Sequence, residues 1–272
     1  MSPTGNALVK RWLTGIIIVP VLLLVIVWGS KELFTALIIF FTAVGVWEYN
    51  NIVFGKGFNI EKTESVLLAI ILPSLALTGN SQYVVAALAC SVIAIFILFI
   101  FSIKHAEFDV VIVAKVVFGV MYIPFLMSYF ILLRLLEKGT LWIVFVLVLA
   151  FIGDTAALYA GKYFGKHKLV PIVSPGKTVE GLVALVLSST AACLLFAYFF
   201  FPEISLIKIA VLAFIGSIIG QLGDICESAI KRSYNLKDAS SFLPGHGGIL
   251  DRLDCLIFIA PFVYYFRIMI IG

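Results

Sequence analysis

TLWIVFVLVLAFIGDTAALYAG, residues 140–161, is an almost unbroken apolar run with a single acid, Asp154, set into it. About 20 mostly apolar residues let an α-helix cross the hydrocarbon core of a bilayer, and this stretch meets that length. A carboxylate so deep in an apolar run is costly. Such groups line a cavity or pair with another charge, so Asp154 reads either as a functional acid or as half of a structural ion pair.

Working outward, comparable segments fall at roughly 12–30, 33–51, 64–79, 82–102, 110–136, 180–201, 205–230 and 252–271, which makes about nine spans. Composition agrees: of 272 residues, 62% are hydrophobic and 12% charged. Average soluble domains are about 45–50% apolar and about 25% charged, so the excess apolar surface must face lipid. Pro20, Pro73, Pro124 and Pro261 fall inside spans, where membrane helices tolerate them. The first run follows Lys10 and Arg11, but no small-residue cleavage site follows Trp28, so it reads as a retained helix. Cys90, Cys193, Cys226 and Cys255 lie in apolar stretches, form no C-x-x-C pair, and read as small buried hydrophobes. The expected fold class is all-α: a polytopic transmembrane helical protein forming one integral membrane domain over 1–272. Its N-terminal helices fill 1–139, and catalytic helices with cytoplasmic loops fill 140–272.

Lysine and arginine placement orients the chain. With the N-terminus cytoplasmic, that side carries Lys10, Arg11, Lys56, Lys62, Lys104, Lys115, Lys162, Lys166, Lys168, Lys177, Lys231, Arg232, Lys237 and Arg252. The opposite side carries Lys31, Arg134, Lys138, Lys208 and Arg267. Both long basic loops, 162–179 and 231–251, are then cytoplasmic.

The front half is poor in functional groups. Glu48, near the end of the second span, reads as an interfacial acid or as part of a polar cavity. The back half holds five of the six aspartates: Asp154, Asp224, Asp238, Asp251 and Asp254. Asp224, Glu227, Ser228 and Lys231 recur at helical spacing and share one face. Asp251 and Asp254 are three apart at the cytoplasmic start of the last span. Two acidic faces on the same side suit a divalent cation with oxygen ligands. Gly216, Gly220 and Gly223 serve either close helix packing or approach of substrate.

Between these acids runs KRSYNLKDASSFLPGHGGILD, residues 231–251. Basic side chains and glycine-exposed amides suit a polyphosphate. Gly247 and Gly248 let the backbone approach an oxyanion without a Cβ in the way. The other loop holds Gly176-Lys177-Thr178, which ends like a P-loop. However, Pro171 stands where that motif needs glycine, and no strand is evident before it, so the motif is rejected. What remains is a basic loop with a Ser-Pro turn leading into the next helix, whose dipole suits Glu180.

The segment 228–254, SAIKRSYNLKDASSFLPGHGGILDRLD, resembles the signature of the phosphatidate cytidylyltransferases. The matching positions are Ser228, Lys231, Arg232, Lys237, Asp238, Pro244, His246, Gly247, Gly248, Asp251, Arg252 and Asp254. Gly153-Asp154-Thr155, Ser174-Pro175, Lys177-Thr178 and Glu180-Gly181 resemble the family too. Gly176 and Val179 depart from it, standing where many members carry lysine and an aromatic residue.

The resemblance implies a reaction in which CTP and phosphatidic acid give CDP-diacylglycerol and pyrophosphate, with Mg2+. It implies membrane lipids and a second copy of the chain as partners, no nucleic acid, and a bacterial inner membrane with the site facing the cytoplasm. The expected metal ligands are Asp224 and Asp251, with Asp254 and Asp154 as further ligands or as acids behind them. Lys231, Arg232, Lys237 and Arg252 would neutralise phosphates. Ser174, Lys177, Thr178, Ser228, Asp238, Gly247 and Gly248 would contact substrate. His246 would face the nucleotide or simply fix its turn.

Three other classes fit the sequence less well. A transporter would carry charges deep in several spans and often repeated halves, whereas this chain crowds them at one side of its last four. An enzyme consuming CDP-diacylglycerol would carry a compact run of Asp-Gly, Ala-Arg and two later aspartates, which this sequence lacks. A purely structural subunit would not need two loops so dense in acids and bases.

Overall fold

The computed structural model describes residues 20–55, 60–102, 109–240, 242 and 247–272. Helix α1 is described over 20–28, followed by α2 (Lys31–Phe54) and α3 (Ile60–Leu75). After a 3-10 turn come α4 (Ser81–Ser102) and α5 (Val110–Val120), then a π-helical turn at Met121–Phe125 and α6 (Leu126–Leu135). The remainder is α7 (Gly139–Phe164), β1 (Lys168–Val170), β2 (Ser174–Thr178), α8 (Val179–Phe200), α9 (Leu206–Ser233) and α10 (Leu250–Phe266).

Local chemistry sets the helix starts. Ser30 Oγ accepts from Leu33 N at 3.2 Å, Asp109 Oδ1 from Val111 N at 2.8 Å, and Thr178 Oγ1 from Gly181 N at 3.1 Å. Each side chain satisfies an amide that the first helical turn leaves without a partner. Pro124 removes one backbone donor, and the wider π-helical turn carries the chain through it without a break.

Among the described residues, seven helical stretches are long and apolar enough to cross a membrane: Lys31–Phe54, Ser81–Phe101, Val110–Leu135, Gly139–Phe164, Val179–Phe200, Leu206–Ser233 and Leu250–Ile271. The chain is thus an all-α polytopic membrane protein. The expected span at 64–79 is α3, whose 16 residues reach about 24 Å at about 1.5 Å per residue, short of a core of about 30 Å. Much of the expected span at 12–30 lies outside the described residues.

One expectation is corrected. Residues 168–178 form a short antiparallel hairpin, with Lys168 opposite Thr178 and Val170 opposite Ser174. The turn lies at Pro171–Val173, so Ser174-Pro175 sits in strand β2 rather than in a turn. The fixed φ of Pro171 suits a turn start. Lys168 Nζ donates to the Pro175 carbonyl at 2.7 Å, and Arg232 Nε holds the Val173 carbonyl at 3.2 Å.

The chain falls into two compact units, one of residues 1–137 with 238–251, the other of 138–237 with 252–272. In the first, α2 buries Phe34, Ile38, Val46 and Tyr49, and Tyr49 donates its hydroxyl to the Lys115 carbonyl at 2.9 Å. In the second, Trp142 of α7 stacks on Phe201 at 4.5 Å, and Ser189 of α8 donates to the Leu149 carbonyl at 2.8 Å. Gly216, Gly220 and Gly223 of α9 face Phe262, Ile259 and the Asp254 backbone. A Cβ on Gly223 would fall 2.5 Å from the Asp254 carbonyl oxygen. Of the two readings of these glycines, the structure supplies helix packing.

Candidate functional site

In the second unit, α7, α9 and α10 each contribute one acid: Asp154, Asp224 and Asp254. Asp154 is within electrostatic reach of Asp224, Lys177 and Arg252, and Asp254 of Asp224, Asp154 and Lys177. Lys177, near the end of β2, places Nζ 2.5 Å from Asp224 Oδ2. The hairpin therefore delivers a cation to the acid on α9. Ser228, one turn on, reaches Asp224 Oδ1 at 3.4 Å. Asp254 Oδ1 accepts from the Cys255 amide at 2.7 Å.

These donors are all carboxylate oxygens, the chemistry a hard divalent cation takes. Acids brought together beside apolar helices favour the company of a cation, and Lys177 supplies one. Among the described residues, no group of three or more His, Cys, Asp or Glu side chains is placed so that it could hold a metal ion.

The expected phosphate-neutralising residues have distinct places. Lys231 is buried and pairs one turn back with Glu227 at 2.6 Å, rather than with Asp224. Glu227 is itself buried. Arg232 is exposed and donates to the Val173 and Leu236 carbonyls, the latter at 3.1 Å. Lys237, Asp238 and Arg252 are exposed. Ser174 is half-buried in β2, and Thr178 is buried as the cap of α8. Glu180, in the first turn of α8, accepts from the amide of His167 at 3.3 Å and lies 2.7 Å from its Nδ1.

The first unit holds the glycine turn. Gly247 has φ +78°, a backbone state that favours glycine. Asp251, in the first turn of α10, accepts from the Ala239 amide at 3.0 Å and the Gly248 amide at 2.7 Å. Its carboxylate therefore closes the turn onto itself. The anion that approaches Gly248 is Glu48 of α2, and a Cβ there would lie 2.7 Å from both carboxylate oxygens. Glu48 is fully buried. It accepts from Ser240 Oγ at 2.5 Å, Ile249 N at 3.0 Å and Leu250 N at 2.7 Å. His246 and Pro244 lie outside the described residues.

Sequence reasoning named Asp154, Asp224, Asp254 and Lys177 as candidates without pairing Lys177 with Asp224. It gave Glu227 no role and left Glu48 open. For Glu227 the signal was Lys231 four residues on along the same helix. For Glu48 it was an acid in an apolar helix whose partners lie far along the chain.

A family model described as the cytidylyltransferase family matches residues 9–270. The chain is 38% identical over 154 residues to a protein named phosphatidate cytidylyltransferase from Bacillus subtilis (strain 168), covering 56% of this chain and 57% of that one. It is 38% identical over 170 residues to a protein of the same name from Staphylococcus saprophyticus, covering 62% of each. A third such protein, from Staphylococcus haemolyticus, is 36% identical over 161 residues, 59% of this chain and 58% of its own. The matched stretch spans less than two thirds of the length of these relatives.

Proposed function

The chain belongs to the cytidylyltransferase family, and from that premise we propose that it transfers the cytidylyl group of CTP to phosphatidic acid. A phosphate oxygen of the lipid forms a bond to the α-phosphorus of CTP. The bond from that phosphorus to the bridging oxygen breaks, and pyrophosphate leaves with the electron pair. The products are CDP-diacylglycerol and pyrophosphate. The nucleophile is already an oxyanion, so no activated serine or cysteine is needed.

The observation that carries this reading is the cluster of Asp154, Asp224 and Asp254 with Lys177 and Arg252 within electrostatic reach. Both substrates are polyanions and repel each other, so catalysis of their meeting is largely a matter of charge placement. The carboxylates of Asp224, Asp254 and Asp154 would hold Mg2+, which when bound offsets phosphate charge. Lys177 supplies a cation opposite those acids. Arg232, through the Val173 carbonyl, holds the hairpin that presents Lys177. Asp251 shapes the turn at the start of α10.

The same reading includes about nine spans, a cytoplasmic N-terminus and a site facing the cytoplasm of a bacterial plasma membrane. It is supported by the basic asymmetry of the sequence, by CTP being a cytosolic solute, and by the bacterial sources of the relatives. The test is purified full-length chain in detergent with phosphatidic acid, Mg2+ and a panel of nucleoside triphosphates. Pyrophosphate release with CTP, matched by CDP-diacylglycerol, is expected; failure of every nucleotide to give release, or release that does not need phosphatidic acid, defeats the reading.

A further inference from the structure

We propose that Glu48 is a positioning residue for this reaction: from α2 it grips the first amides of α10 and so sets where that helix starts. The inference rests on the reaction proposed above.

A carboxylate at a helix N-terminus usually comes from the adjoining chain, within a few residues. Here it comes from a residue some two hundred positions earlier. Both oxygens are engaged. Oε1 takes the Ser240 hydroxyl and the Ile249 amide, and Oε2 takes the Leu250 amide. The helix dipole adds to this attraction, because its positive end faces the acid. Glu48 is fully buried, and Ile249 and Leu250 are buried with it. An exposed acid held by one bond would be a surface detail. A buried acid with three donors is an anchor, since removing it leaves two amides unsatisfied away from water.

The grip has two consequences for chemistry. First, the amides at 249 and 250 are occupied by Glu48, and the amide at 248 by Asp251. Those three amides are therefore not free to cradle a phosphate. Glycine at 248 is needed because Glu48 stands where a Cβ would be. Second, Asp251, Arg252 and Asp254 lie in the helical turn immediately after the gripped amides. A rigid start fixes the direction of Asp251, an acid the sequence reading placed among the metal ligands. Misplacement of reacting groups by about 1 Å can cost about 100-fold in rate.

Glu48→Gln keeps the shape but turns an amide donor or a weaker acceptor toward backbone donors. Glu48→Asp keeps the charge but withdraws it by one methylene. Ser240→Ala removes one donor and leaves both amide bonds. The experiment measures kcat, KM for CTP and amide hydrogen exchange of the full chain in detergent. For Glu48→Gln the expectation is a fall in kcat of roughly 100-fold, with KM changed much less and protection lost at Ile249 and Leu250. Glu48→Asp should recover part of both losses, and Ser240→Ala should keep both near wild type.

Loss of protection without loss of kcat overturns the positioning role, as does loss of kcat with protection unchanged. If Glu48→Gln does not fold, the comparison of Glu48→Asp with Ser240→Ala decides: equal effects overturn the proposal. If the wild-type chain turns over no nucleotide, the proposed reaction fails, and unchanged exchange at 249 and 250 in Glu48→Gln would separately overturn the grip.

Discussion

The Nζ of Lys177 on strand β2 stands 2.5 Å from Oδ2 of Asp224 on helix α9. The pair joins a strand to a helix of the same unit, so the lysine and the acid hold each other in place.

If the pair belongs to the reacting centre, Asp224→Asn and Lys177→Met should each lower the rate by well over about tenfold, a barrier rise above about 1.4 kcal/mol. The double variant should be little worse than either single one, because the two act as a unit. Rates and thermal melting in detergent, measured together, check this. A folded Asp224→Asn chain that keeps more than about a tenth of the rate removes the aspartate from the site.

Removal of divalent cations should abolish turnover, and added Mg2+ should restore it. The acids of α7, α9 and α10 offer oxygen ligands, and a triphosphate brings further negative charge to be offset. Pyrophosphate release after exhaustive chelation, compared with the same sample resupplied with Mg2+, is the measurement. Undiminished release without metal rejects the role given to these carboxylates.

Thr178 was expected to touch substrate and is found capping α8. Thr178→Ala should lower stability by about 1 kcal/mol, the usual effect of losing a cap, while Thr178→Ser should retain the stability. Well below the melting temperature, both should remain active. Thermal melts paired with rates decide the matter: unchanged stability with lost activity would return Thr178 to the substrate.

Single cysteines placed at Lys168 and Ser240, in a background without the four native ones, should react with impermeant reagents from the cytoplasmic side. Labelling of intact and opened cells tests this. Reaction from the outer side alone would invert the orientation.

Much of the architecture was legible because hydrophobic length is a local property. Runs such as Gly139–Phe164 announce a helix that crosses a bilayer, and their acids stand out against them. The short α3 blurred that signal, since Pro73 and a 3-10 turn end it early. The hairpin at 168–178 was missed because its strands are only three and five residues long, too short for a period-two pattern to be read. The site was half legible. Helical spacing put Asp224 and Lys231 on one face, but spacing does not choose partners: Lys231 took Glu227, and Asp224 took a lysine from another element. Glu48 could not be assigned at all, because its donors come from residues 240, 249 and 250.

That separation also bears on biogenesis. The ribosome delivers α2 long before the chain that carries Ser240 and Leu250. Until that last stretch emerges, the Glu48 carboxylate waits without its final donors, in a helix otherwise suited to lipid. Contacts closed so late slow assembly and lengthen the life of incomplete species. A chain stopped before residue 238 would therefore strand an acid in its N-terminal helices without the donors that bury it in the finished one.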